Sequence, residues 1–287
     1  MNLLLMIAAI IVGTWNGKWF PSGRAEHRAH PAVEAATVTA AAQMLASGIE
    51  RLDPEGDDDV ILCLGEMRGP AEVSNLVAQI GRKDLKVAVT SRYRRRDRYD
   101  MLQNAIATTL PVADAGWRLW EYENGVKPPR GYAYAAVITD PATTATVYSV
   151  HLKSNYGQGR DKTRIADNRA KRTEAIRQIV ERESGSAAAA PAIVAGDFNA
   201  DRRRREFAEE KIFDMLEKAG FSDLTALIPE PERYSYPNRR HGNSLLDYIF
   251  CRALKPAGTP ITVDTMELSD HMAVFAVIGR TPDGSGR

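Results

Sequence analysis

Carboxylate, amide and imidazole side chains directly follow apolar segments at several places in this sequence. Each of these segments has the composition of a buried strand, so its polar follower is expected at the rim of a sheet. If the rims converge, their oxygen atoms line an anionic cavity that suits a hard cation such as Mg²⁺, with Mn²⁺ as a substitute. The residues at these strand ends are Asn16, Glu66, Asp197, Asn199, Asp270 and His271.

Each of these motifs is weakly informative alone, because a Gly-Asp pair after a strand is usually only a turn. Their order along the chain is more specific, and it resembles the endonuclease/exonuclease/phosphatase superfamily over residues 7–278. That superfamily includes pancreatic-type deoxyribonucleases, abasic-site endonucleases, neutral sphingomyelinases and inositol-polyphosphate phosphatases. The motifs are Trp15-Asn16, Glu66, His151-Leu152-Lys153-Ser154, Gly196-Asp197-Phe198-Asn199, Leu246-Asp247-Tyr248-Ile249-Phe250 and Ser269-Asp270-His271.

The resemblance implies a metal site and a water-activating group. Glu66 would be the direct carboxylate ligand, with Asn16 beside it and Asp270 completing the site directly or through a water molecule. Asp197 would polarise or deprotonate the attacking water, and Asn199 would hold a phosphoryl oxygen. Such groups match the chemistry, because phosphodiester hydrolysis adds negative charge to an already anionic centre.

The resemblance also implies roles for two histidines. His271 would face the phosphate, with Asp247 fixing its tautomer and orientation, and His151 would contact the phosphate from another side. An imidazole backed by a buried carboxylate has a raised pKa and holds its proton near neutrality. Two alternatives stay open here: His271 acts as the general base, or it stays protonated as an electrostatic clamp while Asp197 acts as the base.

Two arginine-rich runs, at residues 92–99 and 202–205, indicate a polyanionic substrate. Arginines beside a phosphate-cleaving centre suit a nucleic-acid backbone, and the interleaved Tyr93 and Tyr99 could stack on bases. The alternative is that both runs are solvated loops without a role in binding. The residues predicted to bind substrate are Arg94, Arg95, Arg96, Arg130, Lys153 and Asn155.

The elements that position these residues are short strands that alternate irregularly with helices. A doubly wound parallel sheet would alternate more regularly, so we predict an α/β (α+β) four-layer sandwich: two packed mixed β-sheets with helices on the outer faces. Helices are predicted at residues 31–52, 72–81, 167–183 and 206–219, and strands at 7–14, 60–64, 87–91, 132–139, 146–151, 192–195, 245–251 and 272–278.

Composition is that of an ordinary globular protein, with 44% hydrophobic and 26% charged residues in 287. We predict one domain over residues 1–287, with an ordered core at about 7–278 and a flexible tail at 280–287. The formal net charge of +1 gives no evidence for a polyanionic partner, so that evidence is local. Cys63 and Cys251 are predicted to be buried on strands, although a disulfide between them is an alternative.

The apolar residues 1–12 fit either an extended first strand or the remnant of an export signal, which leaves localisation open. This segment is too short to span a bilayer, which takes roughly 20 residues, and no other segment is predicted to span one. We expect the protein to be a monomer. We expect no stable membrane association, because no exposed aromatic hairpin can be recognised in the sequence.

These patterns predict a Mg²⁺-dependent phosphodiester hydrolase, most specifically a nuclease that cleaves DNA or RNA with little sequence specificity. The alternative is a phosphoesterase for a lipid headgroup or a small phosphorylated substrate, similar to sphingomyelinases or inositol-phosphate phosphatases. A non-catalytic binding module would have lost one of the matched residues, and none is missing.

Overall fold

Strands and helices alternate through most of the chain in the computed structural model, which describes residues 9–22, 29–95, 98–155, 161–185, 190–238, 242–265 and 267–280. The helices are α1 (Pro31–Leu52), α2 (Pro70–Gln79), α3 (Lys162–Ser184) and α4 (Ile212–Lys218). The strands are β1 (Ala9–Phe20), β2 (Asp59–Met67), β3 (Lys86–Thr90), β4 (Arg94–Arg95), β5 (Arg98–Tyr99), β6 (Gln103–Thr108), β7 (Val112–Leu119), β8 (Gly131–Asp140), β9 (Thr143–His151), β10 (Ala192–Asp197), β11 (Ser222–Asp223), β12 (Asp247–Arg252), β13 (Lys255–Pro256), β14 (Ile261–Val263) and β15 (Ala273–Gly279).

The strands form two mixed sheets and one small hairpin. The first sheet has the order β13-β15-β1-β2-β6-β3, with β14 also paired to β15. The second sheet has the order β11-β12-β10-β9-β8-β7, so β7 is an edge strand. The short strands β4 and β5 pair only with each other among the described residues.

Three apolar layers separate the sheets and helices. The inter-sheet layer contains Ile61 and Cys63 of β2, whereas the alternating Val60, Leu62 and Leu64 face the layer shared with α1 and α2. A third layer lies between the second sheet and helices α3 and α4. Both faces of the central strands are therefore buried, which explains their continuous apolar runs. The four-layer sandwich predicted from the sequence is confirmed.

Helix α1 lies over the first sheet along its apolar face, which includes Val38, Ala41, Leu45 and Ile49. By length and composition alone it could cross a membrane, with a mean hydropathy of 1.2, and it is the one such helix among the described residues. Length and composition alone do not distinguish a membrane span from a core helix, so the expectation that no segment spans a membrane stays a prediction. The packing against the sheet accounts for its apolar character, as in the core helix of a globular fold.

Several boundaries differ from those predicted. The helix expected at 206–219 is a 3₁₀ turn (Arg205–Phe207) followed by the shorter α4, and neither β6 nor β7 was predicted. Both cysteines are buried on strands and free, as expected, so the disulfide alternative is excluded. Residues 1–8 and 281–287, on which the export signal and most of the predicted tail depended, lie outside the described residues.

Strand register brings the polar strand ends to one edge of the two sheets. In the first sheet, Asn16 is opposite Gly65 in parallel register, immediately before Glu66. In the second, Asp197 is opposite His151 in parallel register and opposite Asp247 in antiparallel register. The carboxyl ends of β1, β2, β9 and β10 consequently meet the start of β12, as the sequence pattern required.

Candidate active site

Gly196 places Asp197 at the end of β10 by allowing two backbones to approach closely. Its φ is +145°, and a Cβ built there would lie 1.9 Å from the backbone oxygen of Val150 on β9. A side chain at this position would therefore collide with backbone that cannot move without breaking the sheet. The glycine of the Gly-Asp-Phe-Asn motif is required by packing, and the aspartate that follows is buried between strands.

Asp197 is central to the polar cluster. Its Oδ2 accepts hydrogen bonds from Asn16 Nδ2 at 2.9 Å and from Asn199 Nδ2 at 2.8 Å. Its Oδ1 accepts from the backbone N–H of Asn199 at 2.8 Å. Asn16 Nδ2 also donates to Glu66 Oε1 at 3.2 Å, while its Oδ1 accepts from the Lys18 backbone N–H. Asn16 thus bridges two carboxylates across the sheets.

Glu66 and His151 face each other across the same space. His151 Nε2 lies 3.5 Å from Glu66 Oε1 and 3.6 Å from Asp197 Oδ2. Glu66 has a left-handed backbone with φ of 55°, a conformation that costs a non-glycine residue free energy and recurs at functional sites. The backbone turn at the end of β2 directs its carboxylate to the shared cavity.

His271 is held by Asp247 on the other side of Asp197. Its Nδ1 lies 2.7 Å from Asp247 Oδ2, and its Nε2 lies 3.9 Å from Asp197 Oδ2. The hydroxyl of Ser235 donates to Asp247 Oδ2 at 2.7 Å and accepts from the backbone N–H of Asp247 at 3.0 Å. Tyr236 packs edge-on against the imidazole, with ring centroids 5.1 Å apart.

The pKa values of these groups diverge. Burial raises the pKa of Asp197 to about 7, although His271 opposes the rise. Burial also raises the pKa of Glu66 and lowers that of His151 well below its usual value. Burial alone would lower the pKa of His271, but the negative charges of Asp247 and Asp197 outweigh burial and raise this pKa to about 10. At neutral pH, His271 is a cation and His151 is neutral.

Asp270 is adjacent to His271 in sequence but is engaged elsewhere. Its Oδ2 lies 3.1 Å from the ammonium of Lys18, and both side chains are substantially exposed, at 38% and 47%. Among the described residues, two groups of three could each place ligand atoms around one ion: Glu66, His151 and Asp197, or Asp197, Asp247 and His271. The structure therefore gathers Glu66 and Asn16 at the cavity, and places Asp270 at its rim in a pair with Lys18.

The first of these groups fits an oxygen-preferring divalent cation. Glu66 and Asp197 contribute carboxylates whose pKa values are raised by burial, and a cation bound between them would offset the desolvation of their charged forms. Mg²⁺ takes carboxylate oxygens and retains water, and Mn²⁺ also accepts imidazole, which His151 offers in neutral form. The donor set thus matches the metals expected from the sequence.

Cationic and amide groups line the rim beside His151. Arg130 Nη2 donates to the backbone oxygen of His151 at 3.2 Å, and its buried Nε has no hydrogen-bond partner among the described residues. Burial lowers the pKa of Lys153, and its ammonium donates to Ser154 O at 2.8 Å. Asn155 Oδ1 accepts from Arg172, which is fully buried and also donates to Lys153 O.

The first arginine-rich run forms the β4–β5 hairpin. Arg94 is exposed, Arg95 is described by its backbone only, and Arg96 lies outside the described residues. Tyr93 is 1% exposed, so the expectation that it stacks on bases was wrong: it packs beneath Trp117 instead.

The second run is tied into the fold. Arg202 pairs with Glu217 at 2.6 Å, and Arg203 with Asp201 at 3.2 Å. Arg204 donates to Ser244 Oγ at 2.9 Å. These partners favour a structural role for the run over substrate binding.

Three supporting residues were not recognised in the sequence: Ser235, Lys18 and Arg172. None of the three belongs to a family motif. Ser235 binds Asp247, Lys18 pairs with Asp270, and Arg172 donates to the backbone oxygen of Lys153, so each partner lies in another part of the sequence. In the sequence, Ser235-Tyr236 only precedes a turn, and no local sequence rule connects this pair to Asp247.

The sequence of residues 13–271 matches the model of the endonuclease/exonuclease/phosphatase family. The chain belongs to this family, whose members are divalent-metal-dependent hydrolases of phosphoester bonds. No curated protein matches the sequence.

Solved structures with the same fold span several activities. An endonuclease/exonuclease/phosphatase from Beutenbergia cavernae is 17% identical with a TM-score of 0.63, covering 95% of this chain and 72% of that one. D. rerio TDP2, complexed with a single-strand DNA product, is 16% identical with a TM-score of 0.61 and coverages of 94% and 99%. Sphingomyelinase C from Streptomyces griseocarneus is 17% identical with a TM-score of 0.58 and the same coverages. At identities this low, the similarity establishes the fold and not the substrate.

Proposed function

We propose that this protein is a divalent-metal-dependent phosphodiesterase that cleaves nucleic acid. The observation that carries the proposal is the convergence of Glu66, Asp197 and the Asp247–His271 pair in one cavity with a cationic rim. An anionic metal-holding centre beside a fixed cation is what the cleavage of a phosphodiester requires.

Glu66 would be the principal metal ligand in this proposal, with His151 and Asp197 within reach of the same ion. Asn16 orients the two carboxylates, and Asp270 would contribute only if it released Lys18. A bound Mg²⁺ or Mn²⁺ would supply a Lewis acid for the phosphoryl oxygens and neutralise developing charge.

Asp197 accepts the proton of the attacking water in this mechanism. Burial raises its pKa to about 7 before a metal binds, which makes this carboxylate a stronger proton acceptor than an exposed aspartate. Asn199 and Asn16 fix its orientation through their amide hydrogen bonds. Asn199 also donates to Leu152 O at 3.2 Å, and this second N–H would turn to a phosphoryl oxygen when substrate binds.

His271 stabilises charge as a protonated clamp. With a pKa of about 10 it carries its proton throughout the neutral range, which favours the clamp over the base alternative. Asp247 binds Nδ1 and leaves Nε2 facing the cavity, where it donates to an anionic oxygen. Neutral His151 contacts the phosphate from the opposite side.

The rim favours nucleic acid among the possible phosphodiesters. Arg130, Lys153 and Asn155 would contact the phosphates next to the scissile bond, and Arg94, Arg95 and Arg96 would contact phosphates further along the strand. The similar fold of TDP2 with its DNA product and of a sphingomyelinase does not choose between substrates. The arginines beyond the cavity would have no role for a small headgroup.

The test is hydrolysis of plasmid DNA, single-stranded DNA, RNA, sphingomyelin vesicles and bis(4-nitrophenyl) phosphate, each with Mg²⁺ and with EDTA. We expect metal-dependent cleavage of nucleic acid, abolished in Asp197→Asn and kept in the surface control Asp214→Asn. Cleavage that persists in EDTA would reject the metal mechanism. Selective cleavage of sphingomyelin would reject the nucleic-acid assignment and leave the phosphodiesterase chemistry intact.

A further inference from the structure

An exposed indole lies on the edge strand of the second sheet. Trp117 on β7 is 37% exposed and packs edge-to-face against Tyr93, with centroids 5.7 Å apart and an interplanar angle of 88°. Tyr93 is itself buried, so it supports the indole from below and restricts its orientation. A supported, partly exposed aromatic ring at a protein edge is a surface on which another ring can stack.

Strand register places this indole between the cavity and the arginine-rich hairpin. Trp117 is opposite Ala133, and Leu119 is opposite Gly131, the residue after Arg130. Along a strand, the distance from Trp117 to the level of Arg130 is therefore about 10 Å. On its other side, Tyr93 directly precedes the β4–β5 hairpin with its arginines.

We propose that Trp117 is a stacking subsite for a nucleobase of single-stranded nucleic acid, an assignment that rests on the proposed phosphodiesterase function. The scissile phosphate lies over Asp197, a nearby base stacks on the indole, and the strand continues towards Arg94 at the start of the β4–β5 hairpin. Single strands are favoured because the base faces of a duplex are already covered by their neighbours, whereas unpaired bases stack on aromatic side chains regardless of sequence.

The charge around the exposed apolar residues argues against a lipid surface as the occupant. Tyr122, 67% exposed, lies between Glu121 and Glu123 in the β7–β8 connection. Glu123 is bridged to Arg177 of α3, which holds this connection on the helix. Carboxylates beside the exposed ring of Tyr122 oppose insertion into a bilayer. An anionic ligand would therefore approach Trp117 from the side of the arginine-rich β4–β5 hairpin.

Tyr122 provides a matched control, because it is an exposed aromatic residue five positions after Trp117, between two glutamates of the β7–β8 connection. The probes are a fluorescent single-stranded DNA and an oligomer of equal length made of abasic sites, which has the phosphates without the bases. Binding is measured by fluorescence anisotropy in EDTA, where the proposed enzyme cannot cleave either probe.

The wild type should bind the base-containing probe more tightly than the abasic probe. Trp117→Ala should weaken binding of the first by about five- to tenfold and leave the second unchanged. Trp117→Phe should retain most of the preference, and Tyr122→Ala all of it. Thermal unfolding of each variant shows whether the fold is retained, and the wild-type comparison of the two probes does not depend on any variant.

Equal affinity of the wild type for the two probes would overturn the stacking subsite, as would an unchanged preference in Trp117→Ala. Loss of binding to sphingomyelin vesicles in Trp117→Ala, without an effect on DNA, would overturn it in favour of a lipid surface. These results are separate from the metal-dependent hydrolysis of bis(4-nitrophenyl) phosphate, whose absence would reject the proposed function itself.

Discussion

At the scale of single residues, the Asp247–His271 pair determines the charge of the imidazole at neutral pH. The imidazole is buried against two carboxylates, and their attraction exceeds the desolvation that burial imposes. Because the folded-state pKa of about 10 exceeds the ordinary value of 6.5, the pair contributes stability that is fully present below pH 6.5. That contribution is lost as the pH rises through about 10.

We predict that Asp247→Asn lowers the pKa of His271 and lowers kcat by about 10²–10⁴-fold, because the clamp then loses its proton near neutrality. The pKa is measured by NMR titration of the imidazole, and kcat with a small diester. The unfolding free energy of the variant should also depend less on pH between 6.5 and 10. An unchanged imidazole titration would show that Asp247 does not control this proton.

The Lys18–Asp270 pair leads to a prediction about metal affinity. If Asp270 joins the metal site, the ion and the ammonium compete for one carboxylate, so Lys18→Met should tighten Mg²⁺ binding by about two- to fivefold. Isothermal titration calorimetry measures this without turnover. Lys86→Met, a change of equal charge on β3, is the control, and equal affinities in the two variants would show that the pair does not restrict the site.

At the scale of elements, the close approach of β9 and β10 sets the position of Asp197. Gly196→Ala places its Cβ against the Val150 backbone at a φ that side chains rarely adopt, so we expect a loss of about 3 kcal/mol or more in unfolding free energy. Urea denaturation measures it. Gly65→Ala is the matched control at another strand end, where the nearest atoms are 3.9 Å away. Similar stability of the two variants would contradict the packing argument.

The sequence predicted the elements that carry contiguous signals and missed those that depend on distant contacts. Strands β2, β10 and β12 combine an apolar run with a terminal motif, so both strand and site residue were recognisable. Strand β7 was missed because most of its residues are exposed, which removes the apolar pattern. Helix α4 starts later than predicted, and Glu210 just before it is buried against Arg172, a tertiary contact that local sequence does not encode.

The same distinction applies to the site. Asn16, Glu66, Asp197, Asn199 and His271 were recognisable because each belongs to a family motif at a strand end. The ion pair of Lys18 with Asp270 joins residues at opposite ends of the chain, and the bond from Ser235 to Asp247 crosses a loop. Such support depends on the completed fold, so sequence reasoning did not anticipate the pairing of Asp270 with Lys18, and the role of Asp270 at the metal stays a prediction.

At the scale of the whole molecule, charge is distributed unevenly although the formal net charge is only +1. The cavity is anionic, whereas the rim and the β4–β5 hairpin are basic. The arginines at 202–204 are neutralised locally by carboxylates or bound to other polar groups. The proposed contacts of a polyanion with the rim and with the β4–β5 hairpin can be tested through their salt dependence.

Replacing Arg94, Arg95 and Arg96 together by alanine should raise KM for single-stranded DNA and flatten the salt dependence of binding. Each arginine that contacts a phosphate releases counterions, with a slope of log K against log salt of about −0.7 per contact on a single strand. The triple variant should therefore lose up to about 2 from the slope. Turnover of bis(4-nitrophenyl) phosphate should not change, because that substrate is too small to reach the hairpin.

The matched control is the triple replacement of Arg202, Arg203 and Arg204 by alanine, which removes the same charge from the second arginine-rich run. Because these side chains are held by Glu217, Asp201 and Ser244, we expect reduced thermal stability with an unchanged salt slope. An equal flattening in both variants would mean that the effect follows total charge and not contact at the hairpin. A hairpin variant with wild-type slope and KM would reject nucleic acid as the substrate, since a small phosphodiester needs only the cavity and its rim.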